Sequence, residues 1–411
     1  MVLLALAACA PEAVGLPGGD AAPDARFADL AGLADGTIVR DAAPPPPDAA
    51  RLNDAGEVCL FGSTSGIVCT PDGTPIIDAE VVATTRDCEG RPLEVTTRAD
   101  ETGRFRLDGL APGPASITVR SGSFLAAFDV EIIAGVTVRA NGGISDKICL
   151  SSRAARLAVL TGQFDRIQDT LTTLGFAHDL YCGETDNHVS GRNLLGSLER
   201  MRAYDVLFIN CASGIDFRAT NPEVRAMIEN LRAFVAQGGS LYVSDLAADV
   251  IEQAWPEALD FELHARAPSE ALACCVCSDC GPECVADERP PRGCEGCCPE
   301  PNTMPLQCVT GGGIGGSGRG GVVDAHLVAP YLQAALGATE VPVVFNLGGW
   351  VPVASWDPQV QVLVEDLDGR PLMAMFEPTP GGGRVAFTSF HHHAQATEAM
   401  TRLLAALVLR L

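Results

Sequence analysis

Arg156-Leu157-Ala158-Val159-Leu160-Thr161 is where the chain changes period. Leu157 to Leu160 is apolar at every position, and the run from Asp165 to Leu174 behind it has helical spacing and ends at Gly175. The cycle then repeats. A helix is predicted near Leu194 to Met201, a strand at Asp205 to Ile209, and a helix from Pro222 to Ala236 opened by the cap Asn221 and closed by Gly238-Gly239. Ser240-Leu241-Tyr242-Val243-Ser244 is the next strand. Strands with no polar face need cover on both sides, and strands alternating with helices are joined by right-handed crossovers. Residues 151–265 and 322–411 are therefore read as one doubly wound, flavodoxin-like α/β domain with a mostly parallel sheet. Its later part is predicted as a helix around Ala329 to Leu336, antiparallel strands at Val360 to Glu365, Leu372 to Phe376 and Arg384 to Phe390, and a last helix from Gln395 to Leu409.

Upstream, residues 57–150 have a different texture. Short alternating runs such as Ala79-Glu80-Val81-Val82-Ala83-Thr84, Gly103-Arg104-Phe105-Arg106-Leu107 and Ala115-Ser116-Ile117-Thr118-Val119 are separated by turn residues, as in an all-β sandwich. With Gly66-x-Val68, Gly73-x-Pro75, Asp100-x-x-Gly103-x-Phe105-x-Leu107 and Leu110-x-Pro112-Gly113, the segment resembles the carboxypeptidase regulatory-like domain. The resemblance implies a transthyretin-like sandwich of seven strands, sometimes described as a carbohydrate-binding-like fold. It implies an accessory or spacer role and carries over no catalytic residue. Cys69 and Cys88 are the cysteines expected to staple this sheet.

After Phe261 the strand and helix pattern halts. Residues 266–321 form a cysteine- and glycine-rich insertion holding Cys274, Cys275, Cys277, Cys280, Cys284, Cys294, Cys297, Cys298 and Cys308, nine of the 16 cysteines in the chain. Such density fits disulfide-stapled loops in an oxidising compartment. The competing reading is a four-cysteine zinc site at Cys277, Cys280, Cys294 and Cys297, whose paired spacing suits that metal. The run Gly311 to Gly321 has no Lys-Ser/Thr after it and no strand before it, so it is read as a flexible return and not as a phosphate loop.

The chain holds 28 Lys and Arg against 52 Asp and Glu, a formal charge of −24 over 411 residues. That balance excludes a basic groove for nucleic acid. No apolar run approaches the ~20 residues of a membrane-spanning helix. At the other end of the chain, Leu6-Ala7-Ala8-Cys9 closes an apolar opening and resembles the lipobox of bacterial lipoproteins. The resemblance implies removal of residues 1–8 and a lipid anchor on Cys9, so that 1–9 is the signal segment. Residues 10–56, with Pro44-Pro45-Pro46-Pro47 and no sustained periodicity, are read as a disordered tether. The expected location is the cell envelope, exported and anchored at the outer membrane or cell surface. The expected partners are the membrane itself and an envelope protein or glycan.

The α/β part resembles the class I glutamine amidotransferase-like superfamily. The resemblance rests on Leu157 to Thr161, Leu207-Phe208-Ile209-Asn210-Cys211-Ala212-Ser213-Gly214, Gly238-Gly239-Ser240-Leu241 and Gly383-Arg384-Val385-Ala386-Phe387-Thr388-Ser389-Phe390-His391. In active members a cysteine sits on the strained turn after the Gly-Gly strand, and a His with a Glu two residues on follows the last strand. Here the turn presents Asp245, and His391 is followed at the Glu position by His393. Cys211 falls in the loop that the resemblance places by the oxyanion site. The expectation is a degenerate domain with a non-catalytic binding or structural role, no cofactor, and His391 and Asp245 as the candidate site residues. Two alternatives remain open: a hydrolase acting on an amide or sugar through His391 and Asp245, one form of which holds a metal between His391-His392-His393 and either Asp245 or Asp216, and a zinc protein organised by the Cys274 to Cys308 cluster. Cys9→Ser should shift the chain from the membrane fraction to the soluble fraction; unchanged fractionation would refute the anchor.

Overall fold

The computed structural model describes residues 50–52, 58–141, 143, 145–183, 189–211, 213–218, 221–264, 315–316, 318, 320–345, 350–390 and 397–411. The segment read as a lipobox with Cys9, the greater part of the segment read as a tether, all nine cysteines of the 274–308 cluster and His391 to His393 lie outside the described residues.

A nine-stranded sheet organises the C-terminal part. Its order is His178–Tyr181, Leu157–Leu160, Val206–Ile209, Ser240–Ser244, Val385–Thr388, Pro371–Phe376, Gln361–Glu365, Gly321–Leu327 and Glu340–Phe345. The first five strands are parallel and follow the flavodoxin-like order, with the second strand outermost. The last four are joined antiparallel. The sheet is thus mixed, and the doubly wound description holds for its first half only. Two strands that the sequence reading did not pick out, Gly321–Leu327 and Glu340–Phe345, flank the helix predicted around Ala329 to Leu336, which is present as Pro330–Leu336. Their signals are weak because the first starts inside the glycine-rich stretch and the second is interrupted by Pro342. A proline is tolerated there because Glu340–Phe345 is an edge strand. Another part of that glycine run, Gly315–Gly316, pairs antiparallel with Leu263–His264.

Strand periodicity divides the core into two layers. Leu157, Val159, Val206, Phe208, Tyr242 and Ala386 face helices Ile167–Thr173 and Glu398–Val408. Ala158, Leu160, Leu207, Ile209, Leu241, Val243, Val385 and Phe387 face the other way, onto helices that include Pro222–Ala236 and Asp249–Ala254. Each buried Val, Leu or Phe contributes about 1.5–3 kcal/mol of transfer free energy, so a strand covered on both faces is anchored at every position. The Pro222–Ala236 helix begins as read, with the Asn221 side chain accepting from Val224 N–H at 2.9 Å and Pro222 in the first turn. The helix predicted near Leu194 to Met201 is instead two short pieces, Val189–Leu195 and Leu198–Met201. Ser197 between them caps the second.

The N-terminal part is a sandwich of two four-stranded sheets, one strand more than the seven expected. One sheet holds Gly62–Cys69, Arg104–Leu110, Thr137–Arg139 and Lys147–Cys149, the other Pro92–Arg98, Glu80–Arg86, Gly113–Ser121 and Phe124–Ile132. Pro92–Arg98 escapes a hydrophobicity reading because no residue in it is fully buried. The expected pairing of Cys69 with Cys88 is corrected. Cys88 bonds Cys59, and Cys69 bonds Cys149, its direct neighbour on the adjacent parallel strand. Ahead of the sandwich, Ala50–Leu52 pairs with Val58–Leu60, so the segment read as tether is already in a ribbon by residue 50.

The two parts share one apolar core, running from Val68 and Ile76 through Phe124 and Phe176 to Leu403 and Leu407. Phe124 and Phe176 meet with ring centroids 4.5 Å apart. The C-terminal residues lock the junction. Ser121 Oγ donates to Leu409 O at 2.6 Å, Ser123 N–H donates to Leu411 O, and Arg410 pairs with Asp78 at 3.0 Å while lying over the Tyr331 ring. Gly122 has φ +56 at this contact, and a Cβ there would overlap Leu411 O and the Arg410 carbonyl carbon. Gly122→Ala should lower stability by more than the ~1–3 kcal/mol of a left-handed non-glycine residue, because the overlap with backbone adds to it. Urea unfolding measures the loss; an unchanged midpoint would show that the junction is not tightly closed.

Candidate functional site

The parallel strands all end on one edge of the sheet, where ligands of such folds sit. Each apolar strand hands over there to a polar residue: Thr161 after Leu160, Asn210 after Ile209, Ser244 at the end of Ser240–Ser244, and Thr388 at the end of Val385–Thr388. All four are buried, and Asn210, Ser244 and Thr388 join Asp165 and Tyr242 in a hydrogen-bonded floor, while Thr161 bonds Gly183 to one side. Ser244 Oγ donates to Asp165 Oδ2 at 2.6 Å and accepts from Cys211 N–H at 2.9 Å. Tyr242 O–H donates to Asp165 Oδ2 at 3.4 Å, and its oxygen lies 2.9 Å from Thr388 Oγ1. Asn210 Nδ2 donates to Gln168 Oε1 at 2.9 Å and to Asp165 O at 3.2 Å. Gly162 lets this loop approach closely, since a Cβ there would overlap Cys211 O.

Above the floor, Asp245 sits at φ +42, in the left-handed region that a non-glycine residue enters only when its surroundings hold it there. It opens a short 3-10 turn, Asp245–Ala247, directly after the strand. Its side chain is buried. Val351 N–H donates to Oδ1 at 2.7 Å and Cys211 Sγ lies 3.6 Å from Oδ2. Ser389 Oγ in turn donates to Val351 O at 2.9 Å, fixing the segment that supplies that N–H. Burial, and secondarily the charge of Asp165, push the Asp245 carboxyl up to about 7 against the hydrogen bonds from Val351 and Cys211. Burial also pushes the Cys211 thiol well above its ordinary value, and the Asp245 carboxylate adds to the effect. The buried thiol is therefore protonated at neutral pH and not a thiolate.

A second buried acid lies one helix further on. Burial raises the Asp249 carboxyl to about 7, opposed first by the nearby Arg218 and then by the backbone N–H groups of Phe217 and Val250. Arg218 pairs with Glu252 at 2.9 Å. Asp216, offered from sequence as the alternative to Asp245 at a metal, belongs to this group: it accepts from Arg218 N–H and its charge acts on Asp249. Among the described residues no three His, Cys, Asp or Glu side chains gather to hold a metal ion.

Of the sequence candidates the structure describes Asp245, at the turn that the resemblance assigned to a nucleophile; His391 is outside the described residues. Sequence reading missed Asp165, Ser244, Thr388 and the Val351 N–H. For Ser244 and Thr388 the available signal was the polar residue that ends each apolar strand; Asp165 and the Val351 N–H had none.

Residues 63–142 match the carboxypeptidase regulatory-like domain family. The chain is similar in structure to a GMP synthase subunit from Thermoplasma acidophilum, at 8% identity and TM-score 0.35, over 62% of this chain and 93% of that one. A glutamine amidotransferase from Thermotoga maritima is similar at 8% identity and TM-score 0.32, over 62% of this chain and 82% of that one. Hydroxyquinol 1,2-dioxygenase from Pseudomonas putida DLL-E4 is similar at 11% identity and TM-score 0.17, over 22% of this chain and 56% of that one. No curated protein matches the chain.

The shifted carboxyl of Asp245 has a measurable consequence. The folded chain keeps it protonated to about pH 7, whereas the unfolded chain ionises it near 3.8. Ionisation of the unfolded chain then draws the equilibrium toward unfolding as pH rises, so this contribution is complete below about pH 4 and lost between there and about 7. Asp245→Asn removes it. Urea midpoints of the variant and the parent should diverge across pH 4 to 7, the parent losing on the order of a few kcal/mol more; parallel profiles would mean that Asp245 is ionised in the folded chain.

Proposed function

We propose that the chain is an exported protein of the cell envelope, anchored through lipid at Cys9. In this reading the β-sandwich carries an amidotransferase-like α/β domain that has no amidotransferase chemistry and serves as a binding or structural module. One observation carries the non-catalytic part of the proposal: the residue on the strained turn after Ser240–Ser244 is an acid buried to 2% exposure, with one oxygen tied to Val351 N–H and the other facing Cys211 Sγ. An acyl-transfer nucleophile has to reach the carbonyl and be ionised or paired with a base. Asp245 is enclosed, and Cys211 beside it is enclosed and protonated. The strain at Asp245 is thus spent on the fold of the turn, and the polar floor beneath it supports the sheet edge.

The hydrolase reading draws support from one fact, the Asp245 carboxyl at about 7, a value suited to general acid or base catalysis at neutral pH. It requires a His391 partner and an opening to Asp245. Purified chain incubated with glutamine should release ammonia no faster than a buffer blank. Release that disappears in His391→Ala would overturn the non-catalytic reading and put the hydrolase first.

A further inference from the structure

Cationic side chains are scarce in this protein, 28 against 52 acidic ones, yet four arginines line one cleft of about 500 Å³ on the sandwich. Strand register explains the concentration. In the first sheet Arg106 lies beside Ser65, and Ser65 beside Arg139, in one row across three strands. Two residues along, Arg104 lies beside Ile67 and points the same way, since Arg104 and Arg106 alternate with the buried Phe105 and Leu107. Arg98, from the edge strand of the second sheet, completes the set.

These guanidiniums are held at the surface, not in the core. Arg98 pairs with Asp78 at 3.2 Å, Arg104 with Asp146 at 3.4 Å and Arg106 with Asp108 at 2.8 Å, and each arginine side chain is more than half exposed. Exposed pairs of this kind are weak, so an incoming carboxylate can exchange for the resident one. Arg106 is further aimed by a donor bond to Ser63 Oγ at 3.1 Å, which itself lies 2.6 Å from Thr137 Oγ1.

We propose that this cleft binds an acidic oligosaccharide, a sugar chain carrying carboxylates among free hydroxyls. The mixture of groups selects the ligand class. Planar guanidiniums recognise carboxylates, while the Ser65 and Thr137 hydroxyls and the Asp146 carboxylate meet hydroxyls that both donate and accept. A uronate presents its carboxylate and free hydroxyls on one ring and so meets an arginine and Asp146 together, whereas an acidic peptide keeps its N–H donors in its backbone, apart from its carboxylates, and inorganic phosphate is too small to reach from Arg106 to Arg139. Arg106 and Arg139 flank the middle strand at about 10 Å, twice the strand spacing, which is the reach of a short sugar chain. The proposal rests on the envelope reading only for the origin of the glycan; the binding belongs to the cleft.

Calorimetric titration of the purified full chain with trigalacturonate tests it without reference to the anchor, so a failed Cys9→Ser fractionation would leave this result intact. The comparison ligands are maltotriose, inorganic phosphate, pentaglutamate and vesicles of anionic phospholipid. Trigalacturonate should bind at least about tenfold more tightly than any of them and weaken with salt. Arg106→Gln combined with Arg139→Gln should cost about tenfold or more at unchanged melting temperature. Arg104→Gln is the second variant should that pair not fold, and should weaken binding in the same direction. Absence of trigalacturonate binding, equal binding of any comparison ligand, or full binding by a folded variant would overturn the proposal.

Discussion

Burial of the parallel strands on both faces is the constraint on which the rest of this structure depends. Leu157 to Leu160 and Val206 to Ile209 expose almost nothing, so each strand feeds two apolar layers in alternation. One layer is closed by helices together with the ribbon of Leu259–Phe261 and Val353–Trp356. The other continues without a break into the sandwich, which makes the helices Ile167–Thr173 and Glu398–Val408 a shared wall between the two parts. Arg410 and Leu411 then finish that wall against Ser121, Gly122 and Ser123. The sandwich is therefore more than a bead on a string in this chain, because part of the α/β core is completed by its residues.

The same constraint shapes the strand ends. A strand with no polar face cannot terminate in a buried apolar edge without leaving backbone groups unpaired, and the polar residues Asn210, Ser244 and Thr388 meet that need. They converge on Asp165, whose carboxylate collects Ser244 and Tyr242. Asp245 stands above this network in a strained backbone position. Its enclosure keeps its carboxyl protonated up to about pH 7 and holds the Cys211 thiol in the neutral form well beyond that.

Charge is distributed by a separate logic. The acidic excess covers the molecule as a whole, whereas the outward rows of the first sandwich sheet collect arginines that the inward rows exclude. Pleating alone achieves this: Phe105 and Leu107 fill the core, and the residues between them have nowhere to go but the surface.

Several features were determined by the sequence alone, because they rest on local physics. The Pro222–Ala236 helix with its Asn221 cap, the Ser240–Ser244 strand and the switch from two-residue to helical periodicity at Leu157 depend on neighbours within a few residues. The turn at Asp245 was legible for the same reason, as the residue following an apolar strand. What only the tertiary structure decided needed partners far away in the chain. Whether Cys69 bonds Cys88 or Cys149 depends on which strand lies alongside, and Lys147–Cys149 is too short to announce itself. Glu340–Phe345 takes its place because Gly321–Leu327 offers it an edge. Asp165 and Val351 reach the Asp245 turn from 79 residues before Ser244 and 106 residues after Asp245, and no local pattern carries a contact over such distances. Burial of Asp245, and hence its chemistry, is set by that assembly, since desolvation depends on what the fold brings over a side chain and not on the residues beside it.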